Sequence, residues 1–230
     1  ELGINAIVGT NNATKVLKNG AMVTVDCSSG AGRVFSGDIP FIMKKYDLKK
    51  IPKLKTKIML NIGTPEIAFR NSFLPHQGVG LAREEFIIAS KIKVHPLALI
   101  NQGKSRYFVD ELARGVGQIA AAFWPYPVIV RFSDFKTNEY ASLEGGEKFE
   151  PKEENPMLGW RGASRYYDPK FKQAFLLECQ AIKKAREEFG LKNIWLMVPF
   201  CRTPEEGRKV LKIMAENGLV KGRDGLKVIV

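Results

Sequence analysis

The chain has 230 residues, 45% of them hydrophobic, and a formal net charge of +12 from 36 basic and 24 acidic residues. This length allows a sizeable core in one or two domains, and no apolar run reaches the roughly 18 residues that a membrane-spanning helix needs. Lysine and arginine are mixed with glutamate, as in residues 183–188, so we expect neither a nucleic acid nor a membrane as partner. The three cysteines form no Cys-x-x-Cys pair, which argues against a zinc site and favours reduced thiols in the cytoplasm.

The first 37 residues predict short strands and turns. Residues 11–17 indicate a capped helical turn, and residues 22–26 alternate as a strand before glycine-punctuated turns around residues 33–35. Residues 38–56 contain two prolines and many lysines, which is typical of a partly helical linker between domains.

Strand and helix patterns alternate from residue 57 onward, which favours parallel βα units. Apolar runs predict strands at residues 57–62, 78–81, 128–132, 193–198 and 226–230. Helical spacing or helix-start signals predict helices at residues 65–68, 105–123, 169–189 and 204–217.

The third predicted strand leads directly into polar residues. Residues 128–140 read VIVRFSDFKTNEY, so the apolar run ends at Arg131 and continues into Asp134 and Lys136. Strand ends of this kind are where α/β enzymes place binding and catalytic groups.

Two further segments carry an arginine in a comparable setting. Residues 78–86 read GVGLAREEF and place Arg83 at the end of the second predicted strand. Residues 155–166 read NPMLGWRGASRY, a loop with glycine and proline that contains Arg161. Because parallel strands end on one face of a barrel, we expect Arg83, Arg131 and Arg161 to converge.

These three segments together resemble the family of PEP-utilizing enzymes, and the resemblance runs along the whole chain. It implies that residues 1–37 are the C-terminal part of a swivelling phosphohistidine β/β/α domain and that residues 38–56 are a linker. Residues 57–230 are implied to be the first half of a PEP/pyruvate-binding (β/α)8 TIM barrel. Five strands cannot close an eight-stranded barrel, so exposed apolar edges are expected to make the chain, when alone, aggregate, self-associate or be poorly ordered.

The two ends of the chain bear on whether it is part of a longer protein. The sequence begins at Glu1 with no methionine and no capping signal, and it stops within an apolar run at Val230. We therefore expect a piece of a longer enzyme.

The continuation at residues 133–140 resembles the branch of the family that makes phosphoenolpyruvate, AMP and phosphate from pyruvate, ATP and water. The resemblance implies a phosphohistidine intermediate, a gluconeogenic role, Mg²⁺ as cofactor and a homo-oligomer. The phosphohistidine, the ATP-binding domain, the acid–base cysteine and the Mg²⁺ ligands are implied to lie outside this chain. No catalytic residue and no metal ligand is therefore expected within it, and the 230 residues alone are expected to be inactive.

The arginines are the predicted substrate-binding residues, because a guanidinium binds two oxygens of a carboxylate or phosphate at once. The resemblance assigns Arg83 and Arg131 to phosphoenolpyruvate or pyruvate, and Arg161 to the transferring phosphoryl group. A supporting shell that orients the arginines is expected from four polar residues, Asp134, Lys136, Asn138 and Asn155.

Other polar residues are weaker candidates. His95 is expected to be packed or to cap a helix, since no acidic or cysteine residue lies near it in the sequence, and His76 is expected in a loop. Cys179 is predicted in the core, and Cys201 follows a strand closely enough to approach the site.

Two alternatives remain open from the sequence. Pyruvate phosphate dikinase and Enzyme I of the sugar phosphotransferase system share the barrel and the opening arginine. A truncated, non-catalytic product that acts in assembly or anion binding is the other alternative.

Overall fold

The computed structural model divides into two compact units, Glu1–Ile51 and Pro52–Val230. The residues it describes are 5–29, 31–42, 47, 52 and 54–230. The predicted linker, residues 38–56, therefore lies partly outside the described residues, at positions 43–46, 48–51 and 53.

The first unit contains one helical turn and one hairpin. The turn is α1 (Ala13–Val16), and the strands β1 (Val23–Asp26) and β2 (Arg33–Ser36) pair antiparallel. The predicted cap is wrong, because the side chain of Asn12 makes no hydrogen bond to the helix. No strand forms at residues 6–8, although that run is apolar.

The second unit alternates strands and helices, as the sequence predicts. Its strands are β3 (Leu60–Ile62), β4 (Val79–Arg83), β5 (Val128–Arg131), β6 (Ile194–Met197) and β7 (Val228–Ile229). Its helices are α2 (Pro65–Asn71), α3 (Glu84–Ile87), α4 (Pro96–Asn101), α5 (Ser105–Ala122), α6 (Thr137–Ala141), α7 (Ala163–Tyr166), α8 (Lys172–Glu187) and α9 (Pro204–Glu216). A π-helical turn, Ile88–Ile92, continues α3.

The five strands form one parallel sheet in chain order, from β3 to β7. The parallel arrangement predicted from the alternating pattern is confirmed. Arg83 pairs in register with Arg131, which pairs in turn with Met197. The carboxyl ends of β4, β5 and β6 therefore lie side by side at the same end of the sheet.

The core lies between the sheet and its helices. Val128 and Val130 on β5 are buried, whereas Ile129 and Arg131 on the same strand are only partly buried. The predicted stripe on α5 is confirmed, with Phe108, Leu112 and Val116 fully buried. Burying a side chain of this size contributes roughly 1.5–3 kcal/mol, so this face holds the sheet and helices together.

Several short helices were missed by the sequence prediction, which assigned no helix to residues 133–140 and treated residues 155–166 as a loop. Helices of four to six residues are too short to show a 3.6-residue period. The start of α6 is instead marked by a local contact, because Lys136 N donates to Glu139 Oε2 at 2.8 Å.

The prediction for α9 is confirmed at both ends. The side chain of Thr203 accepts from the backbone of Glu206, Pro204 occupies the first turn, and Gly218 follows the helix with φ of +90°. Among the described residues, no helix is both long enough and apolar enough to span a membrane.

Candidate functional site

The three predicted arginines line one cavity of about 470 Å³, which we call the arginine cavity. Arg83 and Arg131 reach it from the ends of β4 and β5, and neighbouring parallel strands lie about 4.8 Å apart. Arg161 reaches it from the loop before α7. The remaining lining residues are Glu85, Phe86, Ala89, Asp134, Phe135, Lys136, Glu139, Ser142, Leu143 and Met157.

Asp134 connects two of the arginines. Arg161 donates to it from Nε to Oδ1 at 3.0 Å and from Nη2 to Oδ2 at 2.9 Å, and Arg131 Nη1 lies 3.3 Å from Oδ2. The Asp134 side chain is only 1% exposed. A two-point contact with a buried carboxylate fixes both the position and the plane of a guanidinium, so Asp134 orients Arg161 directly.

Glu85 holds Arg131 from the other side. Arg131 Nη2 donates to Glu85 Oε1 at 2.5 Å, and the backbone N of Asp134 donates to the same oxygen at 3.0 Å. Burial raises the pKa of Glu85, although the charge of Arg131 opposes the shift. Arg131 Nε and Glu85 Oε2 are buried without a hydrogen-bond partner among the described residues, so the cluster keeps an unused donor.

Arg83 is the least restrained cation of the cavity. Its guanidinium carbon lies 5.6 Å from the ring centre of Phe86, and within the described part of the chain it makes no hydrogen bond or ion pair. Its donors are therefore available to an anionic ligand.

A buried hydrogen-bond network supports the loop after β5. Ser133 donates to Glu178 from its backbone N at 3.1 Å and from Oγ at 2.5 Å. Ser133 Oγ also contacts the hydroxyl of Tyr140 at 2.7 Å, and the hydroxyl of Tyr166 donates to Ser133 O at 2.6 Å. These contacts fix the backbone between Arg131 and Asp134.

Glu178 shares its buried environment with Glu84. Burial raises the pKa of Glu178 to about 7, against the lowering effect of its hydrogen bonds from Ser133. Burial, followed by the charge of Glu178, raises the pKa of Glu84 well above its usual range. Two such carboxyls do not both ionise at neutral pH, so the pair retains at least one proton.

The segment that carries Arg161 is anchored by a second buried cluster. Arg165 Nη1 donates to Glu150 Oε1 at 2.9 Å, and its guanidinium lies 4.0 Å from the ring centre of Trp160. His95 Nε2 contacts Glu150 Oε1 at 3.0 Å. Burial acts to raise the pKa of Glu150, but the hydrogen bonds from His95 and Arg165 outweigh it and lower that pKa overall.

The expectation for His95 is confirmed in both respects. It is fully buried, and its Nδ1 accepts from Leu97 N at 3.2 Å at the start of α4. Its acidic partner lies 55 residues away in the chain, which is why no partner was visible nearby in the sequence. His76 lies in a loop and Cys179 is buried, as expected.

Two of the predicted supporting residues, Lys136 and Asn155, differ in what they contact. Lys136 lines the arginine cavity, but its Nζ pairs with Glu139 Oε1 at 3.1 Å. Asn155 Oδ1 accepts from Met157 N at 3.2 Å, so it shapes the turn that precedes Arg161.

Two of the predicted candidates are not brought to the arginines. Asn138 is exposed on α6 and lines a separate cavity beside Glu147. It lies on a helix that the sequence did not predict, and the helix turns its side chain away. Cys201 lines another cavity, with its Sγ 3.4 Å from Thr203 O.

Sequence reasoning missed three residues of the site, Glu85, Glu178 and Phe200. The ring centre of Phe200 lies 4.0 Å from the guanidinium carbon of Arg161. Glu178 had a detectable signal, because it occupies the apolar face of α8 between Phe175 and Ile182. A carboxylate at such a position needs hydrogen-bond partners. Glu85 and Phe200 showed no comparable pattern.

The acidic residues of the cavity are already paired with cations. Among the described residues, no group of three or more His, Cys, Asp or Glu side chains is arranged to hold a metal ion. The carboxylates of Glu85 and Asp134 face arginines. The arginine cavity thus fits an anion and does not fit Mg²⁺.

Comparison with known proteins gives two family matches. The profile described as "PEP-utilising enzyme, PEP-binding domain" matches residues 43–227, and the profile described as "PEP-utilising enzyme, mobile domain" matches residues 1–30.

Curated relatives named phosphoenolpyruvate synthase align with the whole chain. The protein from Synechocystis sp. is 52% identical over 252 residues, that from Aquifex aeolicus 47% over 296, and that from Pseudomonas aeruginosa 49% over 249. The alignments cover 100% of this chain and 31%, 35% and 32% of the respective relatives, so the chain spans about a third of their length. The chain therefore belongs to the PEP-utilising enzymes, and most of it matches the PEP-binding domain of that family.

Proposed function

We propose that this chain is part of a phosphoenolpyruvate synthase, which forms phosphoenolpyruvate, AMP and phosphate from pyruvate, ATP and water through a phosphohistidine. The observation that carries the proposal is the convergence of Arg83, Arg131 and Arg161 on one cavity. The synthase relatives, about half identical along the whole chain, support this choice over other members of the family.

The chemistry of the cavity suits this reaction. Phosphoenolpyruvate carries a carboxylate and a phosphate, and phosphoryl transfer is promoted by fixed cations that neutralise charge on the transferring group. Arg83 binds the substrate through donors that the described residues leave unused, and Arg131, held in place by Glu85 and Asp134, supplies a second positive charge beside it. Arg161, oriented by Asp134, faces the phosphoryl group.

The architecture is part of the proposal. Residues 1–37 would end a swivelling phosphohistidine β/β/α domain, residues 38–56 would link it, and residues 57–230 would begin a (β/α)8 TIM barrel. The mobile-domain match at residues 1–30 and the parallel order of five strands support this arrangement.

The rest of the active site would come from other parts of the enzyme. The phosphohistidine, the ATP site, the acid–base group and the Mg²⁺ ligands would all lie outside these 230 residues. The segment alone would not turn over, and the complete protein would be a cytoplasmic homo-oligomer that supplies phosphoenolpyruvate for gluconeogenesis.

The test is Arg131→Ala in the complete enzyme. We expect pyruvate-dependent formation of phosphoenolpyruvate to fall about 10²–10³-fold, the usual effect of removing one transition-state donor, while ATP still phosphorylates the histidine. The two half-reactions are measured separately with isotopically labelled ATP and pyruvate. Arg106→Ala, at an exposed arginine on α5, is the matched control and should leave both unchanged. Normal pyruvate turnover in Arg131→Ala would contradict the assignment.

A further inference from the structure

Phe200 has an unusual backbone and an unusual environment. It lies in the loop after β6 with φ of +48°, a left-handed conformation that is unfavourable for a bulky aromatic residue. Its side chain is 41% exposed, so burial in the core does not explain why an aromatic residue occupies this position.

The ring of Phe200 lies directly beneath a cation of the candidate site. The guanidinium carbon of Arg161 lies 4.0 Å from its centre, a distance at which the electron-rich ring face attracts a cation. Arg202 lies further away, at 5.6 Å from the same ring. The main partner of the ring is therefore Arg161.

Phe200 and Asp134 restrain Arg161 in complementary directions. Asp134 accepts hydrogen bonds from Nε and Nη2 and so holds one edge of the guanidinium, whereas the Phe200 ring contacts its central carbon from another side. Nη1 has only weak contacts, 3.4 Å to Met157 O and 3.8 Å to Met157 Sδ. The two restraints thus leave Nη1 as the donor with spare capacity.

The loop of Phe200 is fastened to the segment that carries Arg161. Pro199 O accepts from Ala163 N at 3.0 Å, and Arg202 Nη2 donates to Gly159 O at 3.0 Å. Gly162 has φ of +59°, and a Cβ there would lie 2.4 Å from Pro199 O. This close approach keeps the Phe200 ring beside the guanidinium.

We propose that Phe200 is a positioning residue for Arg161: its ring fixes the guanidinium so that Nη1 addresses the phosphoryl group of the substrate. This inference rests on the proposed function, since it assigns Arg161 a phosphoryl-bearing ligand. It adds the loop after β6 to the elements that build the arginine cavity.

The test compares two substitutions at Phe200 in the complete enzyme. Phe200→Leu keeps an apolar side chain but removes the ring, and we expect it to weaken phosphoenolpyruvate binding about tenfold, within the range for a partly desolvated cation–π contact. Phe200→Tyr keeps the ring and should restore binding to within about twofold. The dissociation constant is measured by calorimetry, together with the pyruvate half-reaction. Phe73→Leu, the same change at an exposed position, is the control and should have no effect.

A double-mutant cycle separates positioning from general structural support. In an Arg161→Met background, Phe200→Leu should cause no further loss of binding, because the residue it orients is gone. An equal loss in both backgrounds, or a Phe200→Tyr variant as weak as Phe200→Leu, would overturn the proposal.

Failure of the proposed function gives a different result. If the unchanged enzyme does not bind phosphoenolpyruvate, the proposed function fails, and a crystal structure of Phe200→Leu decides the positioning role. If the Arg161 guanidinium in that variant is rotated relative to its position in the unchanged enzyme, the positioning role is supported. If the guanidinium keeps its position, the role is overturned.

Discussion

At the scale of single residues, the carboxyl pair of Glu84 and Glu178 shows how a polar group is used inside the core. Glu178 accepts two hydrogen bonds from Ser133 and so fixes the loop after β5. Glu84 has no cation and no other polar side chain to pair with among the described residues, and its protonated carboxyl hydrogen-bonds to Glu178. A buried charge without a partner is costly, so Glu84 is held in its neutral form.

This pair makes stability depend on pH. Because burial raises the folded-state pKa of both groups above the ordinary value of 4.5, the folded protein binds the proton more tightly than the unfolded chain. The contribution of this proton binding to the free energy of unfolding is fully present below about pH 4.5. It is lost as the pH rises through the pKa of the folded state, which is about 7 for Glu178.

We predict that Glu84→Gln flattens this dependence. The amide keeps the size of the side chain, cannot ionise and can donate to Glu178, so the variant should be more stable than the parent at pH 8 by roughly 1–2 kcal/mol. At pH 5 the two should be similar. Hydrogen exchange of the α8 and β5 amides, compared at each pH in the complete protein, measures the difference. Glu205→Gln, 66% exposed on α9, is the control, and parallel pH profiles for parent and Glu84→Gln would contradict the prediction.

At the scale of elements, the site depends on close contact between the Arg161 loop and the loop after β6. Gly162 permits this contact in two ways, through its positive φ and through the absence of a Cβ. Backbone atoms of Pro199 occupy the space that a side chain would need, and backbone atoms cannot move aside as the end of a flexible side chain does.

A pair of glycine substitutions separates these two effects. Gly190→Ala places a Cβ where nothing lies within 4 Å, at φ of +73°, so it should cost about 1–2 kcal/mol from backbone strain alone. Gly162→Ala adds overlap with Pro199 O and should cost a further ~1–3 kcal/mol. It should also expose residues 155–166 to proteolysis, which is measured with the unfolding free energy in the complete protein. Equal costs at the two positions would show that the close approach is unimportant.

At the scale of the whole molecule, the parallel sheet is open at both sides. Among the described residues, no further strand pairs with β3 or β7, which form its edges. Beside these edges, Val230 is largely exposed and Ile58 is half exposed. Parallel sheets are normally buried, and unpaired strand edges bind other strands.

We therefore predict that the 230-residue chain self-associates when it is produced alone. Light scattering coupled to size-exclusion chromatography should show a mass above that of the monomer, and the mass should rise with concentration. The complete protein, in which both edges are expected to be paired, is the comparison. A monodisperse monomer of the 230-residue chain with cooperative unfolding would contradict this expectation.

Much of the fold was readable from the sequence because its signals are local. Apolar runs located all five strands of the second unit, and helical spacing located α5, α8 and α9. The helices α6 and α7 were missed because four or five residues carry no period. Arg83, Arg131 and Arg161 stood out because each lies in a distinctive segment, whereas Asn138 was misplaced together with its helix.

The sequence by itself determined the family, the alternation of strands and helices, and the arginines at the strand ends. Only the tertiary structure decided which groups hold those arginines. The partners of Arg161, Ser133 and Arg131 lie 27, 45 and 46 residues away along the chain, at Asp134, Glu178 and Glu85. Such pairs follow from strand register and helix packing, and a side chain's neighbours in sequence carry no record of either.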